Sequence, residues 1–247
     1  MDIAVRIIEI LFPLFSIATL GYFVGRRMKP DLSHANKLNM DVFVPALVFA
    51  ALANQEFEIG GFIPLGVATL ILVFGSGLAA WLLARALKID LRTLVPPIMF
   101  NNCGNLGLPL AVLAFGDVAL APAVVMFMLS NLLHFSYGAW LLDHRVRIWN
   151  VWRVPSVMAT FAGLAVAIAG LEVWSPLLTS IRMLGEISIP LMLFALGARL
   201  ADSTIAVLNY IFAERYGQEP ATVASMVLVG NLAALVTLPI ALAIALP

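Results

Sequence analysis

Residues 95 to 115 hold enough apolar side chains to cross a bilayer once, yet they are written in a way that no continuous membrane helix would be. The middle reads Phe100-Asn101-Asn102-Cys103-Gly104-Asn105-Leu106-Gly107-Leu108-Pro109-Leu110, with three amides, two glycines and a proline between apolar flanks. The flanks, Val95 to Met99 and Leu110 to Phe115, are each too short for a hydrocarbon core of about 30 Å, which needs ~20 helical residues. Together they suffice. The pattern predicts one transmembrane segment broken in its middle. Irregular backbone at that depth persists only where protein or a water-filled cavity satisfies its polar groups, so the break is a candidate site.

The rest of the chain demands the same solvent. Of its 247 residues, 62% are hydrophobic and 11% charged, with a mean hydropathy of +1.02, whereas a soluble domain carries roughly 25% charged residues. A polytopic all-α membrane protein is expected. Met1 to Ile10 contains Asp2, Arg6 and Glu9, and no small-residue cleavage pattern follows, so the first span reads as a retained helix and not a cleaved leader. The single Cys103 excludes an intrachain disulfide and a cysteine-based metal cluster. No metal or organic cofactor is expected, and no basic block suggests nucleic acid.

Apolar windows place spans near 7–25, 38–54, 62–84, 95–115, 119–142, 156–171, 176–199 and 221–245, with a short apolar piece at 206–213. The connections sort by charge. Arg26, Arg27, Lys29 and Lys37 fall in the first, Arg85, Lys88 and Arg92 in the third, Arg145, Arg147 and Arg153 in the fifth, and Arg199 closes the seventh span. Glu56, Glu58, Asp117 and Glu172 occupy the even connections, which carry no Lys or Arg. The positive-inside rule then puts the odd connections in the cytoplasm and the N-terminus outside, in a cell inner (plasma) membrane.

The chain also repeats itself. Pro13 and Gly21 recur 142 residues later as Pro155 and Gly163, and Val44-Pro45-Ala46-Leu47-Val48-Phe49-Ala50 recurs 145 later as Ile189-Pro190-Leu191-Met192-Leu193-Phe194-Ala195. Matching spans are five apart in order, so the copies run in opposite directions, the inverted repeat of many secondary transporters. The repeats are placed at 1–142 and 143–247. Further on, Phe115-Gly116, Pro122-Ala123 and Asn131-Leu132 recur as Tyr216-Gly217, Pro220-Ala221 and Asn231-Leu232, only 98 to 101 residues later. For halves of equal length, the second copy lacks about 45 residues between Leu200 and Ala206. Arg199 and Arg215, 16 residues apart, leave no room to cross out and back. About eight spans of a five-plus-five fold therefore remain, and 206–213 reads as the stub of a broken helix.

Candidate chemistry concentrates at the break. Pro109 suits the first position of a second half-helix, where its missing N–H costs nothing, and Gly104 and Gly107 permit the turn. Such a half-helix aims unpaired N–H groups and the positive end of its dipole at an anionic group. Asn101, Asn102 and Asn105 add amide donors and acceptors. A small anion or carboxylate fits this set. The plainer reading is a kink whose amides bond neighbouring helices, but three amides around two glycines and a proline favour binding. Asp41 in the second span is a candidate proton or sodium site, although Lys37 four residues before it fits a solvated carboxylate as well. Arg182 and Glu186, four apart on one helix face, read as a structural ion pair. Ser130 and His134 share a face of the fifth span, but without a nucleophile motif or orienting carboxylate they do not make a hydrolase. Asn131 and Asn231 hold equivalent repeat positions, and Asn209 is the amide left in the stub.

These residues carry a resemblance. The run Asn101 to Leu110, together with Gly21-Tyr22 before Gly25-Arg26-Arg27, Val44 to Phe49, and Ala206 to Tyr210 before Glu214-Arg215-Tyr216-Gly217, resembles the auxin efflux carrier family in its bacterial, malonate-transporter-like branch. The resemblance covers nearly the whole chain. It implies ten spans in two inverted repeats, the fourth and ninth broken and crossing at the substrate site, and transport of auxin-like or small mono- and dicarboxylic anions. It implies substrate contacts for Asn101, Asn102, Asn105 and Pro109, with Asn209 opposite. This chain departs from the family between Asp202 and Ala206, where the eighth span and the start of the ninth are missing.

The expectation is thus a secondary transporter of a small organic anion, working by alternating access and not as an enzyme. The alternative is a non-transporting membrane protein, a sensor or assembly partner, that keeps the pocket. Expected partners are the organic anion and the lipid bilayer; a homodimer is compatible with the pattern.

Overall fold

The structure, a computed structural model, describes residues 3–53, 59–100, 103–142, 148–201, 240 and 242. These are helical almost throughout, with no strand among them. The main helices are α1 (Ile3–Met28), α2 (Ser33–Leu52), α3 (Ile59–Leu87), α4 (Leu91–Met99), α5 (Leu108–Phe115), α6 (Asp117–Leu142), α7 (Pro155–Ile168) and α8 (Ser175–Ala201). Five stretches are long and apolar enough to cross a membrane: Val5–Met28, Ser33–Leu52, Gly61–Leu87, Asp117–Leu142 and Ser175–Ala201. They coincide with five of the expected spans. The sixth is the shorter α7, and the fourth is divided into α4 and α5. The expected span at 221–245 lies largely outside the described residues, as do the stub at 206–213, the inferred gap, and Asn209 and Asn231.

Local chemistry sets the helix ends. Arg26 and Arg27 close α1, Arg85 closes α3 and Arg199 closes α8, each a cation at the negative end of a helix dipole. Lys29 and Lys88 then turn the chain with φ of 44° and 56°, the left-handed conformation that ends many helices. Asp90 caps α4, its carboxylate accepting the Arg92 N–H at 2.7 Å. Pro155 and Pro176 open α7 and α8 in first-turn positions where a proline's missing N–H is harmless. Gly116, at φ 79°, makes the bend from α5 to α6 that a side chain would resist.

Exposed apolar side chains such as Phe12, Phe23, Ile71 and Leu72, each at least 60% accessible, suit a hydrocarbon solvent. In that solvent helices gain little from burying more apolar surface, and close backbone approach through small residues takes over. Glycines accordingly mark the crossings. At α1 and α8, the Phe194 backbone passes directly over Gly21, a Cβ on Gly25 would lie 2.9 Å from Ala198 Cα, and one on Gly197 would lie 2.6 Å from the Ala18 carbonyl carbon. At α2 and α7, a Cβ on Gly163 would lie 2.9 Å from Leu52 Cβ and 3.3 Å from the Phe49 carbonyl oxygen. Between α2 and α8, Gly185 meets Leu47, whose Cα would be 2.7 Å from an added Cβ. Helices α1, α2, α7 and α8 thus form one interlocked group.

The second group joins α3, α4 and α6. Val73, Ala80, Val95, Met99 and Phe100 form its core, and Gly77 admits the Met99 thioether. Helix α5 packs between α1 and α6. A further core containing Val48, Leu52, Leu108, Phe127 and Met192 joins the two groups.

Candidate functional site

The helix ends at Phe100, nine residues before Pro109. Helix α4 runs to Phe100, whose N–H still reaches the Pro96 carbonyl at 2.9 Å but whose φ and ψ of −110° and 88° leave the helical region. Beyond it, Cys103–Gly107 form a single π turn that passes into α5 through Gly107 at φ −67° and ψ −47°. Gly104 and Gly107 therefore lie inside helical backbone, and Pro109 is not its first residue. The cause is steric. An internal proline cannot donate to the carbonyl a turn behind it and its ring crowds that carbonyl; widening the preceding turn to π geometry is a common way to relieve this. Pro109 itself is fully buried.

The described residues on either side of the break are the end of α4 and the π turn that begins at Cys103. In general the C-terminal end of a helix is partly negative and its N-terminal end partly positive. No charged side chain stands between Thr93 and Gly116, so the local field comes from backbone and amides alone. Such paired half-helix ends can hold an anion at the N–H side and a proton or cation at the carbonyl side.

Helix α6 pins both ends. A Cβ on Gly104 would lie 2.6 Å from the Phe127 ring, so the glycine serves close packing and not a left-handed turn. The Cys103 thiol reaches the Ser130 hydroxyl at 3.7 Å. The Phe100 ring stacks on the His134 imidazole, centroids 4.7 Å apart and planes within 5°, and lies over Gly138, whose added Cβ would be 2.6 Å from it. Phe127, Ser130, His134 and Gly138 recur every three or four residues along one face. Sequence reasoning gave none of these four a role at the break. The Ser130 hydroxyl meets Cys103 and the His134 ring meets Phe100. The available signal was the glycine pair Gly104 and Gly138, each opposite an aromatic, which becomes legible only once the helices are juxtaposed.

The remaining candidates are dispersed. Asn101, Asn102 and Asn209 lie outside the described residues, and for Asn105 only the backbone, within the π turn, is described. Gly107 has open space around it, the nearest atom to an added Cβ being Cys103 Cβ at 3.9 Å. Asp41 is exposed on a separate π turn, Asn39–Phe43 of α2, which packs on α7 and α8 and is not gathered to the break. Arg182 and Glu186 are both exposed, and among the described residues they form no ion pair with one another; Gly185 faces Leu47 and the two charges turn outward. Among the described residues no group of three His, Cys, Asp or Glu side chains could hold a metal ion.

A family model described as membrane transport protein matches residues 6–147, from α1 past the end of α6 and including the whole break. A curated protein of Rhizobium meliloti (strain 1021), named "Putative malonate transporter", is 28% identical over 215 residues, covering 79% of this chain and 67% of the relative.

Proposed function

From the premise that this chain belongs to the membrane transport protein family, the auxin efflux carriers that its motifs resemble, we propose that it carries a small organic anion across the bilayer by alternating access. The anion is of the mono- or dicarboxylate kind, with malonate the first to test because the similar Rhizobium meliloti protein is named for it. The observation that carries the proposal is the break itself. In sequence Asn101, Asn102 and Asn105 share an otherwise uncharged stretch, and the described residues around it, Phe100, Cys103 and Gly104, pack on α6.

The substrate carboxylate sits at the break between α4 and α5. Asn101, Asn102, Asn105 and, from the second repeat, Asn209 orient it, while Gly104, Gly107 and Pro109 set the backbone that receives it. The paired glycine crossings support the inverted repeat, because Gly21 on Phe194 and Gly163 on Phe49 join residues at matching repeat positions. In this reading α1, α2, α7 and α8 are a scaffold, and α3 to α6 move against it with the break. The N-terminus is outside an inner membrane, the basic helix ends are cytoplasmic, and Asp41 is the carboxylate available for proton or sodium coupling.

Radiolabelled malonate uptake into vesicles containing the purified chain tests this. Uptake above protein-free vesicles supports a carrier. Saturable binding without flux favours the non-transporting alternative, consistent with the short stretch from Arg199 to Arg215.

A further inference from the structure

We propose that the exposed face of α1 from Ile8 to Thr19 is the seat of this chain's own last apolar span, residues 221–245, lying antiparallel to α1. A groove of about 600 Å³ runs along that face, lined by Ile8, Leu11, Phe12, Phe15, Ser16 and Thr19. Ile8, Phe12, Ser16 and Thr19 are exposed and recur every three or four residues, one stripe of the helix. The other sides of α1 are taken. Helix α8 covers Ala18, Gly21 and Gly25, and α5 packs beside Ile10 and Leu11.

The described chain leaves α1 at one end and returns to it near the other. Ala201, the last residue of α8, stands at the basic end of α1, where a Cβ on Gly25 would lie 3.0 Å from its Cβ. Leu242 packs with Ile10 and Leu11 of α1 and with Ala114 of α5. The levels of Gly25 and Leu11 are about 21 Å apart along the helix axis. Most of the groove occupies that interval. Residues 202–239, which join Ala201 to the Leu242 contact, lie outside the described residues. As a helix, residues 221–239 cover about 28 Å, enough to follow the groove from the basic end to Leu242. In that direction Thr237 comes level with Ser16 and Leu235 with Ala18, and Leu235, seven residues before Leu242, shares its face.

Lipid tails would cover an apolar groove, but this one carries two hydroxyls. Thr69, Thr160 and Ser180 each donate to the carbonyl four residues back at 2.8 Å. Among the described residues Ser16 and Thr19 form no such bond, which leaves their hydroxyls to a neighbouring helix, as is common inside membranes. The last span offers Thr237 at that level. It is also tethered to the edge of the groove through Leu242, whereas a second copy of the chain would have to reach the groove by association. Leu110 of α5 borders the same contact, so the seated span joins α5 to the group of α1, α2, α7 and α8. The inference does not rest on transport.

The test oxidises three cysteine pairs with copper phenanthroline, in the full chain with Cys103→Ser in phosphatidylcholine vesicles. Leu11→Cys with Leu242→Cys is the reference contact, and Thr19→Cys with Leu235→Cys probes the seat. Thr19→Cys with Leu242→Cys is mismatched by about 13 Å along the axis. Melting temperatures of the reduced pairs within a few degrees of Cys103→Ser show that the fold is kept. Closure within a monomer is read as loss of labelling by maleimide-polyethylene glycol after denaturation. The reference and seat pairs should close, and the mismatched pair should keep several-fold more label. A seat pair that stays labelled while the reference closes overturns the proposal and leaves the groove to lipid. Closure of the seat pair only between chains, seen as a dimer on a non-reducing gel, overturns it in favour of a second copy. An open reference pair, or equal closure of all three, overturns it as well.

Discussion

The backbone of Phe194 lies across Gly21 so closely that a Cβ on the glycine would be 2.9 Å from the Phe194 carbonyl carbon. Gly163 stands in the same relation to Phe49, 3.3 Å separating an added Cβ from its carbonyl oxygen. In the proposed inverted repeat the first helix would correspond to α7 and α2 to α8, which would exchange one contact for the other. Neither contact is explained by apolar burial. Both depend on the absence of a side chain.

Gly21→Leu and Gly163→Leu should therefore each destabilise the fold, by about 1 to 3 kcal/mol or more, because the obstacles are the Phe194 backbone at one and the Leu52 Cβ with the Phe49 backbone at the other, which cannot readily repack. Gly75→Leu in α3 should be neutral or stabilising, since nothing lies within 4 Å of a Cβ there and glycine is a poor helix former. Thermal unfolding in detergent, followed by size-exclusion fluorescence, checks the ordering.

At the break, Gly104→Ala should disturb the start of α5 by driving a methyl into the Phe127 ring. Trimming the obstacle with Phe127→Leu should restore the melting temperature of Gly104→Ala in part, although the ring's own loss has a cost. A double-mutant cycle reads the coupling, expected at 0.5 kcal/mol or more for groups in contact. Simple additivity would mean that Gly104 and Phe127 do not meet.

His134 should act through its ring face and not its proton. His134→Phe keeps the stack on Phe100 and should retain most of the transport, whereas His134→Ala removes it and should lower both stability, by about 0.5 to 1.5 kcal/mol, and flux. Equal loss in both variants would point to a role for the imidazole nitrogens.

In the short connection before α2, the Ser33 hydroxyl and backbone N–H hold the Asp31 carboxyl below the usual carboxylate range, the N–H lying 2.9 Å from its Oδ1. A depressed folded value means that the ionised form supports the helix start. That support is complete above the ordinary carboxylate pKa of about 3.9 and disappears as pH falls through the lower folded value. Amide exchange at residues 33–36 should accelerate on acidification through that window, and Asp31→Asn should remove the acid-dependent step.

Much of this architecture was legible before any coordinates, for particular reasons. Spans showed in the apolar runs because lipid leaves no other choice for residues such as Leu70 to Phe74. The fourth span announced its interruption through Asn101 to Pro109. The register of the interruption did not, because a proline reads locally as a helix start, while the π turn at Cys103–Gly107 is a compromise between Pro109 and the packing of Gly104 on Phe127. The anchoring by Phe100 and His134 was equally hidden, being a contact between residues 34 apart in sequence. Arg182 and Glu186 had the spacing of an ion pair, but spacing does not fix where each side chain turns.

The most direct measurement is counterflow of labelled malonate in vesicles containing wild type, Asn102→Ala or Asn105→Ala, with melting temperatures recorded alongside. The account predicts counterflow by the wild type, its loss in both variants, and melting temperatures within a few degrees of one another. Undiminished counterflow in the two folded variants would contradict the assignment of the break as the substrate site.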